Sequence, residues 1–152
     1  MKILKMEVIS KKPAKTRKDG SYYRGKITVG TFTERFYMYL NFWDLNDYKQ
    51  QWREGLERIK THDSYCLIAD LIVIDHIINL QIYYLHKINN KILVMYQMYR
   101  PGIFKDLLNE PLPFNPFNTE ERYKNLPPLR YKDEDGNNLE TWEADLDGIV
   151  IE

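Results

Sequence analysis

The chain has 152 residues, of which 43% are hydrophobic and 14% aromatic, a composition that excludes intrinsic disorder and suits one globular domain over residues 1–152. Lys and Arg number 22, as do Asp and Glu, and this zero net charge argues against a dedicated nucleic-acid-binding protein. The single cysteine, Cys66, excludes an internal disulfide and a cysteine zinc cluster. With no signal-peptide core and no long apolar run, the sequence predicts a cytoplasmic protein.

The chain begins with a pattern typical of strands. Residues 3–9 predict a first strand, and residues 27–29 and 34–40 predict two more, separated by a turn or bulge at Gly30. Residues 11–20 contain a proline, a Lys/Arg cluster and an Asp-Gly pair, so we expect a loop there.

The clearest helix is predicted over residues 44–60. Asp44 is a good N-cap, and Asp47 stands three residues later, close to a capping box. Gly55 costs up to about 1 kcal/mol inside a helix, which indicates that something packs closely against it. One apolar stripe runs along the helix at three- and four-residue steps: Leu45, Tyr48, Trp52, Leu56 and Ile59.

The second half predicts four further strands. Residues 65–73 are apolar enough for a strand covered on both faces, and residues 80–88 and 91–99 predict a hairpin with Asn89-Asn90 at its turn. A last strand is predicted over residues 139–146, after a turn signal at Asp135-Gly136-Asn137.

Between residues 100 and 130 the prolines forbid long regular structure, and the aromatic residues among them predict an ordered wrap. The predicted class is therefore α+β. One antiparallel sheet of about five to seven strands packs against one main helix, with a Pro-rich C-terminal wrap.

The sequence also resembles a known family. The motif DY-x-x-QW-x-x-GL-x-R spans residues 47–58, follows Phe42-Trp43, and combines rare aromatic residues with a glycine at fixed spacing. The runs at residues 25–38 and the closing strand with Trp142 are similar too. Together they resemble the immunity proteins of contact-dependent growth inhibition and related polymorphic toxin systems.

The resemblance implies a protein without catalysis that binds and neutralises one toxin C-terminal domain, usually a nuclease, as a 1:1 complex. We expect the family motif to mark the scaffold of the fold, because its apolar residues form the buried helix stripe. The scaffold residues are Trp43, Asp47, Tyr48, Gln51, Trp52, Gly55, Leu56, Arg58 and Trp142.

No catalytic or metal-binding pattern is present in the sequence. The histidines His62, His76 and His86 form no paired ligand motif, and Cys66 lies in an apolar run that predicts a buried, inert thiol. No phosphate-binding loop or nucleophile elbow occurs. We therefore expect no enzyme, no metal and no cofactor. His62 is expected to cap the helix C-terminus.

The toxin-binding surface is predicted in the acidic C-terminal segment, because an acidic surface can imitate phosphates and steer the protein onto a nuclease. Tyr83 and Tyr99 are predicted as exposed aromatic anchors beside it. The acidic residues are Asp133, Glu134, Asp135, Glu140, Glu143, Asp145 and Asp147.

The alternative function is a single-stranded nucleic-acid-binding sheet, in which tyrosines stack on bases beside cations. Its residues are Lys11, Lys12, Lys15, Arg17, Lys18, Tyr22, Tyr23 and Arg24. A third alternative, an enzyme of unrecognised type, has no support from any motif.

Overall fold

A computed structural model describes residues 1–16, 20–74, 77–99, 126–132 and 135–152. The elements in chain order are β1 (Leu4–Val8), β2 (Ala14–Thr16), β3 (Gly20–Val29), β4 (Phe32–Tyr39), α1 (Leu45–Arg58), β5 (Ser64–Ile74), β6 (Ile77–Ile88), β7 (Lys91–Tyr99), β8 (Thr141–Asp145), a short 3₁₀ helix (Leu146–Gly148) and β9 (Ile149–Val150). The predicted α+β class, mostly antiparallel sheet with one main helix, is confirmed.

The strands are divided between two sheets, where the sequence predicted one. The first sheet has the order β2-β3-β1-β9, with β4 paired to the other side of β3, and the second has the order β5-β6-β7-β8. All pairs are antiparallel except β1 with β9. The chain leaves the first sheet at β4, passes through α1 and forms the second sheet from β5 to β8, and it returns to the first sheet only at β9.

One apolar core lies between the two sheets and the helix. It contains, from the first sheet, Leu4, Met6, Ile27, Val29, Phe36 and Met38; from the helix and its end, Tyr48, Trp52, Leu56 and Ile59; and from the second sheet, Tyr65, Leu67, Ala69, Tyr83, Leu85, Ile92, Val94 and Ala144. Both sheets and the helix therefore pack against one shared apolar core.

A second core lies on the opposite face of the second sheet. Its members include Cys66, Ile68, Ile82 and Tyr84, which alternate along β5 and β6 with residues of the first core. Leu126 and Leu129 of the Pro-rich segment pack against it. The strand at residues 65–73 is thus covered on both faces, as predicted.

The turns follow the predicted chemistry. Gly30 has a φ of +62° between β3 and β4, and Asn89 has a φ of +57° at the β6–β7 hairpin. Positive φ is strained for most side chains but tolerated by Gly and Asn, so these residues allow tight connections.

Helix α1 begins after the predicted cap at Asp44 and ends at Arg58, two residues before the predicted end. The Asp47 N–H donates to Asp44 Oδ1 at 2.9 Å, and the Asp44 N–H donates to Asp47 Oδ2 at 3.0 Å, completing a capping box. At the other end, His62 Nδ1 donates to the Arg58 carbonyl at 3.2 Å. No helix in the described ranges combines the length and the apolar character needed to cross a membrane.

Three parts of the chain differ from expectation. Strand β3 spans Gly20–Val29, whereas the sequence predicted a strand only over residues 27–29. Residues 14–16 pair with the start of β3 where a loop was predicted. The two residues of β9, too short to leave a sequence pattern, pair in parallel with β1. His76 and most of the Pro-rich wrap predicted between residues 100 and 130 lie outside the described residues.

Gly55 is required by packing, so Gly55→Ala should destabilise the protein. A Cβ at this position would lie 2.6 Å from Leu67 Cδ2 and 2.7 Å from Tyr65 Cδ1, both in the first core. Overpacking destabilises the folded state by about 1–3 kcal/mol, whereas the better helix propensity of alanine stabilises it by up to about 1 kcal/mol. We expect a net loss of about 1 kcal/mol in the free energy of unfolding, measured by urea denaturation.

Asn46→Ala is the matched control, because Asn46 lies on the exposed side of the same helix. Its free energy of unfolding should stay equal or rise slightly. Equal stability of Gly55→Ala and the native protein would contradict the close-packing explanation.

Candidate functional site

The family motif meets the second sheet at an irregularity in its edge strand. The register of β5 against β6 shifts between Ile68 and Asp70. The Gln51 amide and the Trp52 indole both donate to the Ile68 carbonyl, at 2.6 Å and 2.7 Å, and the Ile68 N–H donates to Gln51 Oε1 at 3.0 Å. Two helix side chains therefore replace a neighbouring strand at this bulge.

Tyr48 binds the same region from one turn earlier in the helix. Its hydroxyl accepts from the Leu71 N–H at 3.0 Å and donates to the Tyr39 carbonyl at 2.7 Å. The Tyr39 N–H in turn donates to the buried Asp70 carboxylate at 3.0 Å. Burial raises the pKa of the Tyr48 hydroxyl well above its usual range, so it stays protonated and links β4 to β5.

Other motif residues also hold elements together. Trp43 packs edge-on against Tyr48 with ring centroids 5.3 Å apart, and Trp142 stacks on Phe32 at 3.9 Å, joining β8 to the first sheet. Arg58 lies 3.9 Å from a carboxylate one helical turn earlier. These contacts connect neighbouring parts of the fold.

The acidic segment is partly neutralised by Lys2, just before β1, and by Lys91 of β7. Glu143 lies 3.5 Å from Lys2 and 3.3 Å from Lys91, and Asp145 lies 3.5 Å from Lys91. The Lys2 backbone N–H donates to Asp145 Oδ2 at 2.8 Å, and this bond, followed by the charge of Lys91, lowers the pKa of the Asp145 carboxyl. These two acids thus help to fasten the N-terminus to β7 and β8.

The other predicted acids are placed differently. Glu140 and Asp147 are exposed, and within the described ranges neither forms an ion pair. Asp135 is exposed beside the turn at Gly136, while Asp133 and Glu134 lie outside the described residues. The structure brings Glu143 and Asp145 together, with Glu140 and Asp147 just before and after β8.

The expectation that Tyr83 and Tyr99 are exposed is wrong. Tyr83 is 0% exposed and donates to the Glu34 carboxylate, and Tyr99 is 8% exposed with its hydroxyl 2.8 Å from that of Tyr84. Both faces of β6 are buried, so apparent alternation with polar neighbours did not mark a solvent face. These two tyrosines stabilise the interior and are not available as surface anchors.

Two side chains that the sequence analysis considered for chemistry are buried. Cys66 is fully buried, as expected, and His86 lies in β6, where no group among the described residues forms a hydrogen bond with its Nε2. Burial lowers the pKa of His86 and favours its neutral form. Over the described part of the chain, no three His, Cys, Asp or Glu residues come together in a way that could hold a metal ion.

A surface that the sequence revealed only in part lies on the outer face of the first sheet. Register pairs Tyr22 with Tyr39, Arg24 with Tyr37, and Lys26 with Arg35, so all six side chains share one face of β3 and β4. We call these six residues the basic tyrosine face. The sequence pointed to Tyr22 and Arg24, but the contribution of β4 depends on a pairing that no local pattern reveals.

The alternative nucleic-acid site is assembled only in part. Tyr23 packs against the first core and does not share a face with Tyr22 and Arg24. Lys11, Lys12 and Lys15 are exposed, whereas Arg17 and Lys18 lie outside the described residues.

Fold and site together define a two-sheet α+β protein whose aromatic helix motif closes the edge of one sheet. The family model for the CdiI N-terminal domain matches residues 38–150, and the chain belongs to this family. The resemblance seen in the sequence is thereby confirmed. Among curated proteins no match is found.

A solved structure shares the fold. It is a chain from a structure described as a CdiA-CT/CdiI toxin and immunity complex from Enterobacter cloacae, with 18% sequence identity and a TM-score of 0.71. The similarity covers 95% of this chain and 92% of that chain. At this identity the similarity establishes a common fold over nearly the whole length of both chains.

The bulge contacts predict a large effect for Gln51→Ala. Removal of the Gln51 amide leaves the buried Ile68 N–H without its acceptor and opens a void beneath the helix. An unpaired buried N–H costs about 1–3 kcal/mol, and we expect a loss of about 2–3 kcal/mol in the free energy of unfolding, measured by chemical denaturation.

Gln50→Ala is the control, since the neighbouring Gln50 is exposed. Its free energy of unfolding should change by less than about 0.5 kcal/mol. A similar small change in Gln51→Ala would mean that the amide does not support the bulge.

Proposed function

We propose that the protein is the immunity protein of a contact-dependent growth inhibition system. It binds one cognate toxin C-terminal domain as a 1:1 complex in the cytoplasm and neutralises it without catalysis. The observation that carries the proposal is membership of the CdiI N-terminal domain family across residues 38–150. The fold shared with a chain from a toxin and immunity complex supports it further.

Neutralisation by binding needs a rigid surface rather than a reactive group. The most specific polar side chains of the motif, Tyr48, Gln51 and Trp52, bind backbone groups of β4 and β5. They hold the scaffold, so recognition of the toxin falls to exposed residues on other elements.

The toxin is proposed to be a nuclease. Nuclease active sites attract phosphates with basic residues, so an acidic surface can compete for them and accelerate association. Glu140 and Asp147 are the acids of β8 and its surroundings that are exposed and unpaired within the described ranges. Asp135 is exposed near the preceding turn.

Binding to the toxin domain encoded immediately upstream tests the function. We expect calorimetry to give a 1:1 complex with a dissociation constant of nanomolar order or lower, about −12 kcal/mol. Toxin activity should fall in proportion to the immunity protein added and vanish at one equivalent, because binding without catalysis is stoichiometric. Loss of activity at a small fraction of one equivalent would indicate catalysis, and absence of both binding and inhibition would overturn the proposal.

Charge reversal tests the acidic contact separately. In the variant Glu140→Lys/Asp147→Lys we expect the association rate to fall by at least tenfold at low salt, measured by surface plasmon resonance. The control Glu57→Lys/Asp63→Lys reverses two exposed acids at the end of α1 and the following turn. Equal rates for the two variants would remove Glu140 and Asp147 from the contact and leave the immunity function standing.

A further inference from the structure

The positive charge of the basic tyrosine face is not neutralised by ion pairs within the described ranges. No carboxylate in the described ranges forms an ion pair with Arg24, Lys26 or Arg35. The one acid across from Lys26 is Glu7 on β1, and its carboxylate lies 2.9 Å from Lys5. This contrasts with β8, where lysines neutralise Glu143 and Asp145.

The arrangement of these cations works against the stability of the sheet. Lys26 and Arg35 are directly opposite on neighbouring strands, and Arg24 is one pair further along β3. Like charges directly opposite each other in a sheet are destabilising. A cluster with this penalty, in which none of the three cations forms an ion pair within the described ranges, fits a surface that meets its counter-charge on another molecule.

The tyrosines give the same face a rigid apolar element. Tyr22 packs edge-on against Tyr37 with ring centroids 4.9 Å apart, and the Arg24 guanidinium lies 5.9 Å from the centre of the Tyr37 ring. Tyr37 is still 49% exposed. Arg24, Arg35 and Tyr37 border a shallow depression of about 200 Å³. Tyrosine and arginine are the residue types that dominate binding energy at protein interfaces.

The ring geometry favours a protein partner over single-stranded nucleic acid. Bases stack on open aromatic faces, as in sheets that bind single strands. Here the Tyr22 and Tyr37 planes lie at 73° to each other and Arg24 covers one side of Tyr37. The rings are therefore engaged with one another and with a cation, rather than held parallel for bases.

We infer that the basic tyrosine face is a contact surface for an acidic patch on the cognate toxin domain. The inference rests on the proposed function and names the side of the molecule and the charge of the partner. Arg24 and Arg35 supply the attraction and the bidentate hydrogen bonds to carboxylates, and Tyr37 supplies the buried apolar centre. The basic tyrosine face and the exposed acids near β8 have opposite charge. Reversing the charge of each set in a separate variant therefore distinguishes their contributions to toxin binding.

The charge is tested with Arg24→Glu/Arg35→Glu and the toxin domain encoded upstream. For the native protein we expect the association rate to fall with added salt. In the variant we expect this salt dependence to disappear and the dissociation constant to rise at least 100-fold. The control Lys49→Glu/Lys132→Glu makes the same change in net charge at two exposed lysines on other elements and should stay within threefold of native. Circular dichroism and melting temperature confirm that both variants are folded.

The apolar centre is tested with Tyr37→Ala, for which we expect binding at least tenfold weaker. Tyr131→Ala is its control, because Tyr131 is 56% exposed and lies outside the first sheet. If Arg24→Glu/Arg35→Glu and Tyr37→Ala both bind the toxin domain with the affinity of the native protein, the inference is overturned. The proposed function still stands in that case, because the native protein binds the toxin. Failure of the native protein to bind the toxin would overturn both.

A labelled oligo(dT) of about 20 nucleotides serves as the nucleic-acid probe in the same low-salt assay. No binding by the native protein is expected. Binding that Arg24→Glu/Arg35→Glu abolishes, together with unchanged affinity of that variant for the toxin, would reassign the face to nucleic acid and overturn the protein contact.

Discussion

The structure depends on how helix α1 satisfies the bulge in strand β5. An edge strand presents unpaired backbone groups, and a bulge adds more of them in a place where another strand cannot pair. Gln51 and Trp52 supply both the donors and the acceptor that Ile68 needs, and Tyr48 does the same for Leu71 and Tyr39. Since these groups are buried, leaving them unpaired would destabilise the fold by more than the hydrogen bonds stabilise it. The hydrogen-bonding residues of the helix and the bulge in the strand therefore depend on each other.

Close approach of the helix is the condition for those bonds. Gly55 lets the helix lie against Tyr65 and Leu67, one turn after Gln51 and Trp52 contact the bulge. The glycine and the polar aromatic residues of the motif thus serve one purpose, which is to seat the helix on an irregular edge. This explains why a motif with so many hydrogen-bonding groups is almost entirely turned inward.

Local elements were predictable because their causes are local. The capping box, the buried helix stripe and the turn at Asn89 each depend on residues a few positions apart. The division into two sheets, the two-residue strand β9 and the burial of Tyr83 depend on distant partners. A strand covered on both faces has no polar side, so period-two reasoning gave β6 an exposed face that it does not have.

The same distinction applies to charge. Counting acids along the C-terminal segment predicted a negative surface, but Lys2, just before β1, and Lys91, in β7, form ion pairs with both acids of β8, Glu143 and Asp145. Conversely, the positive face became visible only when pairing placed Arg35 beside Lys26 and Arg24. A net charge near zero therefore does not show where positive or negative charge is concentrated on the surface. The electrostatic attraction that speeds association with a partner depends on the charges that form no ion pair after the strands have paired. For this reason the outer face of the first sheet, rather than the acidic C-terminal segment, is the better candidate for electrostatic attraction to a partner.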